Sequence, residues 1–565
     1  MRCIKDVMCP MRDGVLLATD LYLPDTEGAY PIILMRTPYG KEHITDDPLY
    51  GYFPDLIADG YGIASQDMRG SGHSEGKIGL NGHKEHADGY DAVEWLASQV
   101  FCDGNVGMFG LSYPGFVQTA AAAYAPPHLR AICPFMAPSQ NPFGARQTHT
   151  LHMSHLHWAY SQLLEHPEHY LPDEAFRKKM LPVLQEYHEH LDEILMELPL
   201  NRCRAASLEG VPMLDDYREL MEGIESRAFW DKMHMPIDFN KVHVASFYAT
   251  GWLDGAKEWT ISSYLAQRKS EDPFTRENVR LLIGPWPHDS RMPSVVEDTD
   301  FGDASLGENY GVKDCMHRWF DRHMKGKDVD ALPARVCYFM RGENRWHAAS
   351  DWPPPEARAT SFYLTAGKTL SQNTPPWGSL CYDADPMQPT PSFLKDRHGH
   401  VLTADWSEIN DRKDVLTFIT EPLDSPVRIA GAVTFTLYAA TDAEDTDFGC
   451  RLMDISPDGS AVELAAGIVR ASYRKGFFQK EFIVPHEVTQ YTFTVGHTAN
   501  CFQIGHRVGL QVFSYLYPDH DRNLNTRTPS YLGTDYQIAH QTLFFGSNAP
   551  SHIDLPLLRN EEEET

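Results

Sequence analysis

Apolar and polar residues change rhythm three times along this chain, and each rhythm predicts a different architecture. Over residues 1–144, short apolar runs alternate with amphipathic stretches. The runs at 15–23, 31–35, 61–66, 106–109 and 129–136 have the length of buried strands. Residues 85–99 place Ala92, Val93, Trp95 and Leu96 at helical spacing, and a second helical pattern opens at Phe116 and Val117. Strands alternating with helices predict a mainly parallel sheet covered on both faces. Residues 145–240 read as helices at 150–165, 172–198 and 213–233, with no strand alternation. A helical block interrupting an α/β unit predicts a cap over its site. Strand runs return within 241–355, at 242–250 and 279–283. Trp352-Pro353-Pro354-Pro355 then marks a boundary. Beyond it, residues 356–565 alternate: Val433, Phe435 and Leu437 against Thr434, Thr436 and Tyr438, then Tyr491 and Phe493 against Thr492 and Thr494. With turn signals such as Pro457-Asp458-Gly459, this predicts an all-β sandwich of jelly-roll type.

Length and charge narrow the function. A chain of 565 residues supports two to four domains. A formal charge of −29 argues against nucleic acid or an anionic membrane as partner. The sequence enters charged residues directly after Met1, without the pattern of a signal peptide, and no apolar run approaches a membrane span. The ten cysteines are scattered, with no C-x-x-C pair, which predicts reduced core residues in a cytoplasmic protein. The tail at 561–564 is a charge run expected to be disordered.

The chemistry-bearing stretch is Gly110-Leu111-Ser112-Tyr113-Pro114-Gly115. It follows an apolar strand and leads at once into a helix, the context of a nucleophile elbow. The spacing is G-x-S-x-x-G, with Pro114 where the second glycine of G-x-S-x-G is expected. Taken alone, Ser112 could equally be a turn serine. Two further strand ends change that reading. One run ends in Gly251-Trp252-Leu253-Asp254-Gly255, and the other in Gly284-Pro285-Trp286-Pro287-His288-Asp289. The order Ser112, Asp254, His288 is the α/β-hydrolase order. A serine hydroxyl is a weak nucleophile, so a histidine must take its proton and a carboxylate must orient that histidine. Asp289 competes for the orienting role but directly follows the histidine. The expected fold class is α/β: an α/β-hydrolase domain (1–144 and 241–355), an inserted helical cap (145–240) and a C-terminal jelly-roll domain (356–565).

Other candidates carry less. The glycine-rich segment from Asp67 to Gly76 lacks a phosphate-loop spacing and reads as a structural turn, with Asp67 and Arg69 as a candidate ion pair. His149, His152, His155 and His157 cluster at the start of the cap, but no carboxylate or cysteine completes a ligand set, so no metal and no organic cofactor is expected. Trp158 either lines a pocket or fills core. The β sandwich could be a sugar-binding module or a brace for the catalytic domain.

The stretch Cys102-Asp103-Gly104-Asn105-Val106-Gly107-Met108-Phe109-Gly110-Leu111-Ser112-Tyr113, with Gly251-Trp252-Leu253-Asp254-Gly255 and Gly284-Pro285-Trp286-Pro287-His288, resembles the CocE/NonD hydrolase family. Asp445-Thr446-Asp447-Phe448 and Tyr517-Pro518-Asp519-His520-Asp521-Arg522-Asn523 extend the resemblance over nearly the whole chain. It implies Ser112 as nucleophile, His288 as base and Asp254 as orienter. It also implies an oxyanion hole made by the Tyr113 backbone N–H and the Tyr39 hydroxyl, which a preorganised phenol can supply. A member of the family carries an aromatic two residues after its catalytic aspartate, in its acyl pocket; here that position is Ala256. Related α-amino-acid ester hydrolases place acids shortly after the aspartate to hold an ammonium. Gly255, Ala256 and Lys257 stand here instead, leaving Glu258 or cap acids for that role. The activity implied is serine-dependent hydrolysis of a small-molecule acyl ester through an acyl-enzyme. The alternatives are an amide-directed acylase or peptidase and a non-catalytic sugar-binding protein. The resemblance also allows a homodimer.

Overall fold

The computed structural model describes residues 1–45, 49, 53–77, 84–138, 150–234, 237–396 and 399–558. His149 and the acidic tail therefore lie outside the described residues. Ten strands form the main sheet. Its first eight are β1 (Arg2–Pro10), β2 (Leu16–Leu23), β3 (Tyr30–Thr37), β4 (Gly62–Asp67), β5 (Cys102–Leu111), β6 (Leu129–Phe135), β7 (Ala245–Leu253) and β8 (Val279–Pro287). They lie in the order β1-β2-β4-β3-β5-β6-β7-β8, followed by Val336–Met340 and Arg345–Ala349. From β4 through β8 to Val336–Met340 every pairing is parallel. β1 and β2 add an antiparallel edge. Burial explains the runs: β3 and β4 are buried at every position, as a sheet covered on both faces demands. Helix α1 (Phe53–Ala58) precedes β4, and helices α2 (Glu85–Ala97) and α3 (Tyr113–Ala122) pack on each other through Gly89, where an added Cβ would lie 2.5 Å from Ala121 Cβ.

Between β6 and β7 the described chain is helical, beginning with α4 (Ser154–Glu165). The two long helices expected after it are each broken. The first ends at Glu189 and resumes as a short turn at Leu191–Ile194. The second stops at Gly223, and a new helix starts at Arg227 with Ser226 as its cap, accepting from the Phe229 N–H. Trp230 fastens that corner by donating its indole N–H to Ile224 O at 2.7 Å. Helical periodicity survives such a corner because both halves pack into one core.

Among the described residues, the strands of the C-terminal part pair antiparallel, with isolated parallel bridges at Thr369–Ile419 and Pro391–Tyr517. A seven-stranded sheet centred on Val427–Ala440 faces a four-stranded sheet centred on Arg507–Phe513 and Asp447–Ile455. Phe435 pairs with Phe493 and Leu437 with Tyr491 across one register, and all four are buried in the core shared with Phe448, Leu452 and Val512. Among the described residues, no helix is long and apolar enough to cross a membrane.

Candidate active site

The elbow is a strained turn. Ser112 sits at φ 66°, ψ −127°, between β5 and α3. A non-glycine residue holds such a conformation only when its surroundings over-determine it. Here the Ser112 N–H donates to Phe135 O at 2.9 Å, and Ser112 O accepts from the N–H groups of Gly115 and Phe116 at 2.8 and 3.0 Å. The proline in the motif is explained by Gly110. A Cβ on Gly110 would stand 2.4 Å from Pro114 Cβ and 2.8 Å from Pro114 O. The first glycine therefore makes room for the proline, which opens the helix where a missing N–H costs nothing.

Asp254 and His288 are brought together by the pairing of β7 with β8. Gly251 faces Gly284 there, and a Cβ on Gly251 would lie 2.0 Å from Trp286 O. The Trp286 indole, fully buried, donates to Ser305 O at 2.7 Å and fixes the strand that ends in His288. His288 Nδ1 lies 2.7 Å from Asp254 Oδ1. Asp254 is buried and also accepts from Thr250 Oγ1 at 2.6 Å and the Ala256 N–H at 2.8 Å. Burial alone would lower the pKa of His288; the charge of Asp254 and its hydrogen bond outweigh that and raise it. The side chain of His288 remains 40% exposed, so this base is open to the cleft. Asp289 is turned away and pairs with Arg291 at 3.0 Å.

Tyr39 follows β3 and reaches the elbow. Burial pushes its phenol up to about 12, against the opposing pull of contacts with the Ser112 hydroxyl, the Trp158 side chain and the Tyr113 backbone N–H. The hydroxyl is therefore a neutral donor at physiological pH. Trp158 on α4 stacks on the Tyr113 ring, centroids 5.9 Å apart and planes 9° apart, and meets Tyr39 edge-on at 6.4 Å.

The loop beneath Tyr39 is held by residues that sequence reading missed. Asp67 does not pair with Arg69, as expected from their proximity in the chain. Its oxygens accept the N–H groups of Lys41 at 2.7 Å and His73 at 2.8 Å. Arg69 instead pairs with Asp88 at 2.6 Å and Asp13 at 3.0 Å. Asp67 is the last residue of β4, while Arg69 already lies in the turn beyond it, so strand alternation does not place the two side chains together. The cap entry is tied to the β domain: the Leu151 N–H donates to Asp521 Oδ1 at 2.6 Å and the Met153 N–H to Asp519 O at 2.7 Å.

A cavity of about 400 Å³ lies where the β7 exit, the cap and the β domain meet. Of the predicted site residues only Asp254 lines it; Trp158 faces the elbow, and Ala256 is buried with its N–H on Asp254. Glu258 lines the cavity, but its carboxylate accepts from the His497 N–H and lies 2.8 Å from His497 Nδ1. The cap histidines take separate partners: His157 Nε2 lies 3.0 Å from Asp192, and His152 Nδ1 2.5 Å from Ser154 Oγ. Among the described residues, the groups that could hold a metal lie elsewhere, at His166, Glu168 and His169 and at Asp59, His317 and Asp321.

A family profile described as X-Pro dipeptidyl-peptidase (S15 family) matches residues 13–290, and one described as X-Pro dipeptidyl-peptidase C-terminal non-catalytic domain matches residues 327–554. The chain is 32% identical to the cocaine esterase of Rhodococcus sp. (strain MB1 Bresler), over 98% of each chain. A solved α-amino acid ester hydrolase superposes with a TM-score of 0.82 at 26% identity, covering 98% of this chain and 96% of that one. An aminopeptidase from a marine sediment Thaumarchaeota archaeon shares the fold with a TM-score of 0.81 at 24% identity, over 99% and 96% of the two chains.

Proposed function

Because the chain belongs to the X-Pro dipeptidyl-peptidase (S15) family, among its CocE/NonD serine ester hydrolases, we propose that it cleaves small-molecule carboxylic esters through an acyl-serine intermediate. Ser112 Oγ attacks the acyl carbonyl while His288 Nε2 takes its proton. Asp254 holds the imidazole by Nδ1 and stabilises the imidazolium that forms. The carbonyl oxygen, now an oxyanion, is met by the Tyr39 hydroxyl and the Tyr113 N–H. Collapse breaks the ester C–O bond, and His288 returns the proton to the leaving alcohol. Water, deprotonated by His288, then attacks the acyl-serine and releases the acid. No metal and no organic cofactor takes part.

The observation that supports this reading is the strained Ser112, with the Tyr39 hydroxyl in contact with its side chain and with the Tyr113 backbone N–H. A peptidase acting at a free amino terminus needs an acid for the substrate ammonium. Glu258, the acid nearest the catalytic aspartate in sequence, is held by His497, and this favours esters. The same reading divides the chain into a hydrolase domain (1–144 and 241–355), a cap (145–240) and a jelly-roll brace (356–565), in a cytoplasmic enzyme whose cysteines are all free, eight of the ten buried. The test is turnover of aryl and alkyl esters beside their matched amides, for wild type and Ser112→Ala. Ester hydrolysis lost in the variant is the expected result; hydrolysis that survives removes Ser112 from the mechanism.

A further inference from the structure

We propose that the cavity beside Asp254 is a carboxylate-binding subsite with Arg341 as its cation, so that the preferred esters carry a free carboxylate. This rests on the ester-hydrolase reading and names its substrate class.

Arg341 follows the strand Val336–Met340 and is 6% exposed. Its backbone joins the β domain, donating to Ala499 O and accepting from the Cys501 N–H at 3.2 and 2.8 Å. Its guanidinium donates to Thr498 Oγ1 at 2.7 Å, Leu464 O at 3.2 Å and Glu463 O at 3.4 Å. Each of these acceptors is neutral, and Nε is buried with no partner. A buried cation without a counter-ion is costly, and burial pulls this guanidinium down to about 10, against the raising charges of Glu463 and Asp454.

The carboxylates around it serve other groups. Glu463 pairs with Arg451 at 2.6 Å, and Asp454 with His506 at 2.8 Å. In the cavity lining, Glu258 is held by His497 and Asp254 by His288, and Asp519 lines it as well. Lys257 adds a second cation to the lining, its Nζ 3.1 Å from Trp252 O. Of the five guanidinium N–H groups, three are spent on Thr498, Leu464 and Glu463, which leaves the Nε–H and one Nη1–H as donors for a carboxylate. Phe393, Leu402 and Leu516 supply apolar wall for a short carbon chain, and about 400 Å³ is the size of a small-molecule site. The cavity adjoins the chemistry through shared segments. Asp254 lines it directly, as does His157, whose neighbour Trp158 stacks on Tyr113.

The carboxylate could belong to the acyl or the alcohol half. One arm compares mono(4-nitrophenyl) glutarate with 4-nitrophenyl butyrate; the other compares 3-carboxyphenyl butyrate with phenyl butyrate. In wild type, kcat/KM favours the anionic member of one pair, and Arg341→Met lowers that ratio about 10- to 100-fold, with Arg341→Lys between. Equal handling of both pairs by wild type, or a ratio unmoved in Arg341→Met, overturns the proposal. Because Arg341 also straps two domains, binding is read separately on Ser112→Ala by calorimetry. Glutarate is expected to bind at least about tenfold tighter than neutral glutaramide; equal affinity overturns the proposal even where the Arg341 variants do not fold. If wild type cleaves no ester, the hydrolase reading fails while this calorimetric comparison still decides the anion site.

Discussion

His288 Nδ1 lies 2.7 Å from Asp254 Oδ1, and this contact determines the protonation of the proposed base. The imidazole must be neutral to accept the Ser112 proton, so activity rises as pH climbs through its pKa. Burial lowers that pKa and Asp254 raises it, and the balance is upward from the usual 6.5. The acid limb of kcat/KM is therefore expected above that value. Asp254→Asn removes the raising influence and leaves burial, so the limb moves to lower pH, while the rate falls about 10⁴-fold because the tautomer is no longer held. A pH–rate profile of the two proteins reads both effects; an unmoved limb would separate His288 from the rate.

Burial pushes the Tyr39 phenol up to about 12, so it stays a neutral donor well into the alkaline range. Tyr39→Phe keeps the ring against Trp158 and removes only the hydroxyl. With one oxyanion donor left at the Tyr113 N–H, kcat is expected to fall about 100- to 1,000-fold. KM should change little, because the oxyanion forms only on the way to the intermediate. Steady-state kinetics on a single aryl ester checks the split. A rise in KM with kcat preserved would make Tyr39 a ground-state contact.

Gly110 is fitted to Pro114 at 2.4 Å from the place a Cβ would take. Gly110→Ala must displace the turn that holds Ser112 at positive φ. Overpacking of this kind costs about 1–3 kcal/mol of stability. A displacement of about 1 Å at the nucleophile costs roughly 100-fold in rate. Denaturation and turnover measured on the same preparation test the pair of effects. Full activity would show that the elbow tolerates the methyl group.

The residues legible in the sequence were those whose position depends on their own strand. Ser112, Asp254 and His288 each follow an apolar run, and a run's carboxyl end can be read from pattern alone. The alternation of Phe435 and Phe493 likewise gives their burial, since period two has one buried face. Tyr39 is different: only the family resemblance makes it a candidate, because its contact Ser112 lies 73 positions on, across the β3–β5 pairing. The Asp67–Arg69 expectation failed because Arg69 lies past the end of β4, in a turn whose course the spacing does not give. Arg341 was invisible for a related reason. Its acceptors, Leu464 and Thr498, sit on strands of another domain more than a hundred residues away, and only docking of that domain buries the guanidinium.

That docking also shapes the cap. Asp521 accepts the Leu151 N–H at 2.6 Å and the Ser530 hydroxyl at 2.7 Å, and shares Arg470 with Asp447 at 3.1 Å to each. The segment it grips leads directly into α4, which carries Trp158 against Tyr113. Asp521→Ala leaves a buried amide and hydroxyl unpaired and strips Arg470 of one of its carboxylates. The expected loss is about 3–5 kcal/mol, read as a lower urea midpoint. Asp521→Asn keeps an acceptor for Leu151 and should lose less. If the β domain acts as a brace for the site, the surviving folded Asp521→Asn protein also shows a lower kcat on aryl esters, because α4 then holds Trp158 less firmly against the elbow. An unchanged kcat in that variant, beside a lowered midpoint, would confine the contact to stability and leave Trp158 positioned by the cap alone.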